Sequence, residues 1–238
     1  MKEKLIQTRN QLIENIKNVY QDMYQLSFLT GSLSGDHSDA LSDIDVWLVA
    51  DEEKINHLIE KRFDHYNEIG EVVHFCEPPH HSPINGMASS VIYNTDGILT
   101  EVDYYICSDK VAKFIKNAKV LFGEVNIPEG FPENNTEKRI LSETYRLDFF
   151  LFLAFVAVKK TYRNDKKYLD MFSDVYKKLK TDYDLIDLPE IENNYDFKTL
   201  YKYIQAVEGK VTDKQKEFLK DIENFIKMVI KEYIKLGI

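Results

Sequence analysis

Asp43 and Asp45 stand one residue apart inside an apolar run formed by Ile44, Val46, Trp47, Leu48 and Val49. On a strand, side chains two apart share a face, so this spacing sets two carboxylates side by side at one strand end. Partly buried carboxylates in that position repel each other, and one holds a proton unless a cation neutralises both. Magnesium suits the task, being a hard ion that takes carboxylate oxygens and keeps other positions for water and phosphate. Upstream, Gly31 and Ser32 close another apolar run containing Leu26, Phe28 and Leu29. A small Gly-Ser entrance lets backbone N–H groups and a hydroxyl come close to a phosphate. The connecting LSGDHSDALS is a polar loop. Its Asp36 and Asp39 read as solvated turn residues, and Ser42 as a residue that caps or orients Asp43.

These groups need a scaffold. Residues 4–24 carry Leu5, Leu12, Ile13, Ile16, Val19, Tyr20 and Met23 on one helical stripe. Strands are expected over 27–30, 43–49 and 71–76, with a helix over 54–66 between the last two. SVIYNT and ILTEVDYYIC flank Asp96-Gly97, a dipeptide suited to a tight hairpin turn. Residues 109–119 read as a short helix. NIPEGFPENN (126–135) is rich in turn formers, and every long segment beyond it has helical periodicity. Helices are expected over 136–162, 166–180, 197–207 and 213–236, the first apolar almost all round in its middle. The expected class is α+β (mixed α/β): a sheet domain flanked by helices over 1–125, then a helical bundle over 136–238.

Composition narrows the function. The chain has 238 residues, 44% hydrophobic and 30% charged, which marks it as globular. A formal net charge of −9 argues against a nucleic-acid partner, which calls for a broad basic surface. The N-terminal stretch is amphipathic and acid-containing, unlike a targeting peptide. The longest apolar run, 149–158, is about half of the roughly 20 residues that span a bilayer, so no membrane is expected. Two cysteines, Cys76 and Cys107, make no framework, and a cytoplasmic location follows as the expectation.

The pattern Gly-Ser, ten residues, Asp, apolar, Asp, apolar resembles the signature of the nucleotidyltransferase superfamily. The small acid-strand domain followed by helices looks most like the antibiotic nucleotidyltransferases, the lincosamide enzymes first and the aminoglycoside enzymes next. The resemblance implies that Gly31 and Ser32 hold the β and γ phosphates of ATP or another nucleoside triphosphate. It implies that Asp43 and Asp45 bind magnesium, and that a third carboxylate lies on a later strand. TEVDYYIC offers two, Glu101 and Asp103, on one face. Register against the lincosamide enzymes favours Glu101 as the base, while the broader superfamily pattern favours Asp103, also as a metal ligand. A hydroxyl of a small antibiotic-like acceptor would attack the α-phosphorus and receive a nucleoside monophosphate, releasing pyrophosphate. The helical half would wall the acceptor cleft and support a homodimer, as in resistance-type relatives. Alternatives are nucleotidylation of a protein or RNA end, and a degenerate module that binds without catalysis.

Other features have plainer readings. HFCEPPHH gathers His74, Cys76, His80 and His81 without the paired spacing of a zinc site, and reads as loop and pocket residues. Lys167, beside Lys166 after a turn, is placed to reach a triphosphate or to start a solvated helix. Tyr145, Phe149, Phe150 and Phe152 recur at helical spacing and read as core or dimer packing.

Overall fold

The computed structural model describes residues 2–35, 38–77, 81–135, 143–182 and 196–235. The chain forms two compact units, Met1–Arg139 and Ile140–Ile238. Together they make a mixed α+β protein, with the sheet confined to the first unit and the second helical.

In the first unit the order is α1 (Lys2–Tyr20), β1 (Leu26–Thr30), a 3-10 turn (Gly31–Leu33), β2 (Ile44–Ala50), α2 (Glu52–Glu60), α3 (Arg62–Ile69), β3 (Glu71–Cys76), β4 (Met87–Thr95), β5 (Ile98–Ser108) and β6 (Lys119–Gly123). The sheet order is β3-β4-β5-β2-β1-β6. The β2–β5 pair is parallel and the other neighbours are antiparallel. The expected hairpin forms at Asp96-Gly97, where both residues have positive φ (51° and 79°), the primed turn whose twist matches its strands.

Side-chain alternation along β2 assigns the two faces. Ile44, Val46, Leu48 and Ala50 join Val102, Tyr104 and Ile106 of β5 under α1, α2 and α3, which bring Leu12, Ile16, Tyr20, Ile55, Leu58, Tyr66 and Ile69. Full burial of each such aliphatic side chain is worth about 1.5–3 kcal/mol, enough to fix the register of both central strands. The opposite face carries Phe28, Trp47, Val49 and Cys107, packed by Ala112 and by partly buried Phe114, Ile115 and Ile127. Helices therefore occupy one face, and the acid-bearing positions point to the other.

Three expectations need correction. Residues 109–118 form turns rather than a helix. The N–H and C=O of Phe114 are taken by Pro128 O and Gly130 N, at 2.8 and 3.0 Å, and Asn117 has φ of 66°. Both remove the local hydrogen bonding a helix needs. Residues 54–66 lie in two helices, broken at Lys61. Asp43 sits immediately before β2 rather than within it.

The same backbone bonds pin down 128–135. Beyond the two to Phe114, Ile84 N donates to Glu133 O at 3.0 Å and Asn135 N to Ser82 O at 2.8 Å. This turn-rich stretch is fixed to the first unit along both sides.

The second unit holds α4 (Glu143–Tyr162), α5 (Lys166–Asp182), α6 (Phe197–Ala206) and α7 (Asp213–Lys235). Residues 136–142 of the expected first helix lie outside the described residues. α4 is the hub, in contact with α5, α6 and α7, which explains why its middle is apolar all round. Phe150 is fully buried and stacks on Phe172, with ring centroids 5.4 Å apart, and Phe155 lies 5.4 Å from Phe225. Phe152 is buried and Phe149 half-buried, while the side chain of Tyr145 lies outside the described residues. No helix of the described residues is long and apolar enough to cross a membrane.

Candidate active site

Four adjacent strands build the site. Thr30 of β1 is the register partner of Asp45, and Asp45 is the parallel partner of Asp103 on β5. On the far side of β5, Ser90 of β4 is opposite Asp103 and Ile92 opposite Glu101. The acid positions thus converge on one end of the sheet because β2 and β5 run parallel.

Asp43, Glu101 and Asp103 each present a carboxylate oxygen, and these oxygens all lie within 4.8 Å of one another. Glu101 is buried, and the other two are half-buried. Asp45 points its carboxylate at Gly31, where a Cβ would fall 2.0 Å from Oδ2. Asp103 shows the electrostatic consequence. Burial pushes its carboxyl well above the usual range, and the nearby charges of Glu101, Asp45 and Asp43 push it further. The Ser90 hydroxyl opposes this by donating to Asp103 Oδ1 at 2.5 Å. A crowded set of oxygen donors that holds on to a proton fits a hard divalent cation, which would relieve the repulsion.

Gly31 opens the 3-10 turn with φ of 63°. The hydroxyl of Ser32 in that turn is buried and has no hydrogen-bond partner among the described residues. A buried, unpaired donor is costly, and a phosphate oxygen would satisfy it.

The loop between turn and acids is organised from within. Asp39 Oδ1 accepts from Leu41 N at 2.8 Å and from the Ser42 hydroxyl at 3.3 Å, while Ser42 Oγ accepts from Asp39 N at 2.9 Å. Asp39 is an exposed turn residue, and Asp36 lies outside the described residues. Sequence reasoning missed the anchor of this loop. Arg9 of α1 is buried, and its Nη1 donates to Asp39 O at 2.5 Å. Burial lowers the proton affinity of its guanidinium, and the charges of Asp39 and Asp43 work against that shift. The signal was present: Arg9 sits on the apolar stripe between Leu5 and Leu12, where a cation calls for a reason.

The remaining candidates are not among the three clustered carboxylates or lie outside the described residues. Lys167 is in the first turn of α5, but its side chain lies outside the described residues. His74 and Cys76 are buried on β3, His81 is exposed, and His80 is outside the described residues.

On the acid-bearing face, a cavity of about 350 Å³ runs beside Thr30 and Gly31. Trp47 and Tyr105 form part of its wall, their rings 4.6 Å apart and 12° from parallel.

No family model matches the chain, and no curated protein matches it. Among solved structures, the STING-associated CdnE c-di-GMP synthase from Capnocytophaga granulosa aligns with a TM-score of 0.31 and 14% identity, over 97% of this chain and 82% of that one. The CdnE cyclic dinucleotide synthase from Elizabethkingia meningoseptica, solved with GTP and Apcpp, aligns with a TM-score of 0.30 and 12% identity, over 95% of this chain and 98% of that one. Likeness at that level carries no argument, and the functional reading rests on this chain's own residues.

Proposed function

We propose that the protein is a nucleotidyltransferase that moves a nucleoside monophosphate from ATP to the hydroxyl of a small acceptor. The carrying observation is the convergence of Asp43, Glu101 and Asp103 at the strand end where Gly31, Ser32 and Asp45 also meet. Backbone N–H groups of the Gly31 turn and the unpaired Ser32 hydroxyl would hold the terminal phosphates. Asp43, Glu101 and Asp103, with Asp45 beside them, would hold magnesium. When bound, magnesium supplies neutralising charge and polarises phosphoryl oxygens for in-line displacement.

The chain's own work is then to orient the two reactants and to move one proton. The acceptor oxygen bonds to the α-phosphorus, the bond from that phosphorus to the bridging oxygen breaks, and pyrophosphate leaves. The acceptor's proton passes to a carboxylate. Glu101 or Asp103 would receive it, and burial and acidic neighbours raise the proton affinity of Asp103. The finer reading is an antibiotic-like acceptor, lincosamide before aminoglycoside, on the motif resemblance alone. Modification of an RNA end is disfavoured by the net charge of −9.

Calorimetry with ATP tests the reading on wild type, Asp43→Asn and Asp45→Ala, each with and without magnesium. Magnesium-dependent binding should be present in wild type and lost in both variants, followed by pyrophosphate release when a hydroxyl acceptor is added. Folded wild type that binds no ATP under any of these conditions would overturn it.

A further inference from the structure

The cavity beside Gly31 has a composition that the transfer chemistry does not explain. Trp47 and Tyr105 line it as part of a row of rings across three strands, Phe28 stacking on Trp47 from one side at 5.9 Å and 5° and Tyr105 from the other at 4.6 Å and 12°. Ile115 adds an apolar wall. Phe131 and Pro132 come from the stretch that is hydrogen-bonded along both sides, so the rim is held in place before any ligand arrives. Phe131 nevertheless leaves 79% of its surface exposed, more than any other large hydrophobic residue described. An exposed aromatic ring at the mouth of an aromatic cavity offers a face for a partner ring.

The polar groups are few and uncharged or weakly charged. Thr30, His81 and Asn134 lie on the lining, and none of the described lining residues is Asp, Glu, Lys or Arg. The carboxylates stand next to the cavity instead, at the Asp45 end where Gly31 belongs to both. A volume of about 350 Å³ suits one flat ring system with a short arm, at the low end of small-ligand sites.

We propose that this cavity is a stacking subsite for an uncharged flat aromatic or heteroaromatic ring, belonging to a ligand whose reacting end lies at the carboxylates. The proposal deepens the nucleotidyl-transfer reading and rests on it only for what the ring is attached to. The ring is either the base of the nucleotide or part of the hydroxyl-bearing acceptor. Where the ring belongs to the acceptor, an aminoglycoside or a lincosamide, neither of which carries an aromatic ring, leaves the subsite empty. A saccharide without an aromatic face would likewise leave Phe131 uncovered.

Trp47 is the chain's single tryptophan, which makes its emission a direct report on the cavity. The experiment titrates adenosine, guanosine and p-cresol, with ribose and kanamycin as controls without an aromatic ring. It uses wild type, Phe131→Ala, Tyr105→Leu and Asp43→Asn, all without magnesium. Saturable change in Trp47 emission is expected with at least one ring probe and with neither control. Affinity should fall about tenfold in Phe131→Ala, the scale of one lost stacking contact, and stay unchanged in Asp43→Asn. A response to the nucleosides assigns the ring to the nucleotide, and a response to p-cresol alone assigns it to the acceptor. No response to any ring, or equal affinity in wild type and Phe131→Ala, overturns the proposal. Because the probes carry no phosphate and Asp43 is dispensable for them, the cavity stands or falls separately from magnesium-dependent ATP binding.

Discussion

Gly31 and Asp45 share one space: a methyl group built on the Gly31 Cα would fall 2.0 Å from Asp45 Oδ2. The contact joins the two halves of the sequence motif directly, since it sets the carboxylate by removing a side chain from the turn. Gly31 also has φ of 63°, a conformation that disfavours any Cβ.

Gly97 separates these two effects. It has φ of 79° in the hairpin turn, and a Cβ there meets nothing within 4 Å. Gly97→Ala should therefore cost only the backbone term, about 1–2 kcal/mol. Gly31→Ala should cost more, because the Asp45 carboxylate must also be displaced. Thermal denaturation of both variants measures the gap. Adding Asp45→Ala to Gly31→Ala should recover the excess, and a double-mutant coupling near zero would show that the two residues do not compete for space.

Protonation of Asp103 links the site to pH. In the unfolded chain this carboxyl returns to its ordinary 3.8, whereas in the folded protein it titrates well above that. Between those two values the folded state binds a proton that the unfolded state does not. The stabilisation is fully present below the unfolded value and is lost as pH rises through the folded one. With chelator present, the contribution of Asp103 to Tm should grow as pH falls through its folded-state value. Asp103→Asn should flatten that slope, and magnesium should raise Tm most at the alkaline end. Superimposable wild-type and Asp103→Asn profiles in chelator would place the proton elsewhere.

Ser90 tunes the same equilibrium. Its hydroxyl donates to Asp103 Oδ1 and so favours the charged carboxylate. Losing such a bond costs about 1 kcal/mol, equivalent to about 0.7 pH unit. Ser90→Ala should shift the pH midpoint of magnesium binding upward by about that amount, with little change in binding at high pH. Calorimetry across a pH series reads this directly. An unchanged midpoint would mean that the hydroxyl does not bear on Asp103.

The motif was legible because its chemistry is local. Gly31, Ser32, Asp43 and Asp45 lie within one short stretch, and alternation along TEVDYYIC already put Glu101 and Asp103 on one face. Which acids meet was not legible. That depends on the parallel β2–β5 register, set by Val46, Leu48, Tyr104 and Ile106 against helices far along the chain. Residues 109–119 misled for a similar reason: their apolar spacing suits a helix, but the backbone of Phe114 bonds to 128–130. The aromatic cavity was invisible because Trp47, Tyr105 and Phe131 come from three distant segments.

Arg9 offers the sharpest test of how the acids are held. It is buried on α1, reaches the loop through Asp39 O, and its Nε has no hydrogen-bond partner among the described residues. One bond to a main-chain carbonyl is a modest return for burying a guanidinium, so stability alone is a weak reason for it. Placement is the better one, because the Asp39–Ser42 turn that Arg9 fixes leads straight into Asp43. Arg9→Leu removes the buried charge while keeping apolar bulk, and should change unfolding free energy by no more than about 1–3 kcal/mol. Magnesium affinity should fall further than that change implies, and Arg9→Lys should restore only part of it, since an ammonium lacks the planar fork. The comparison is made well below Tm, by calorimetry on folded protein. Magnesium affinity that stays at the wild-type level in Arg9→Leu would show that the loop holds Asp43 without its anchor.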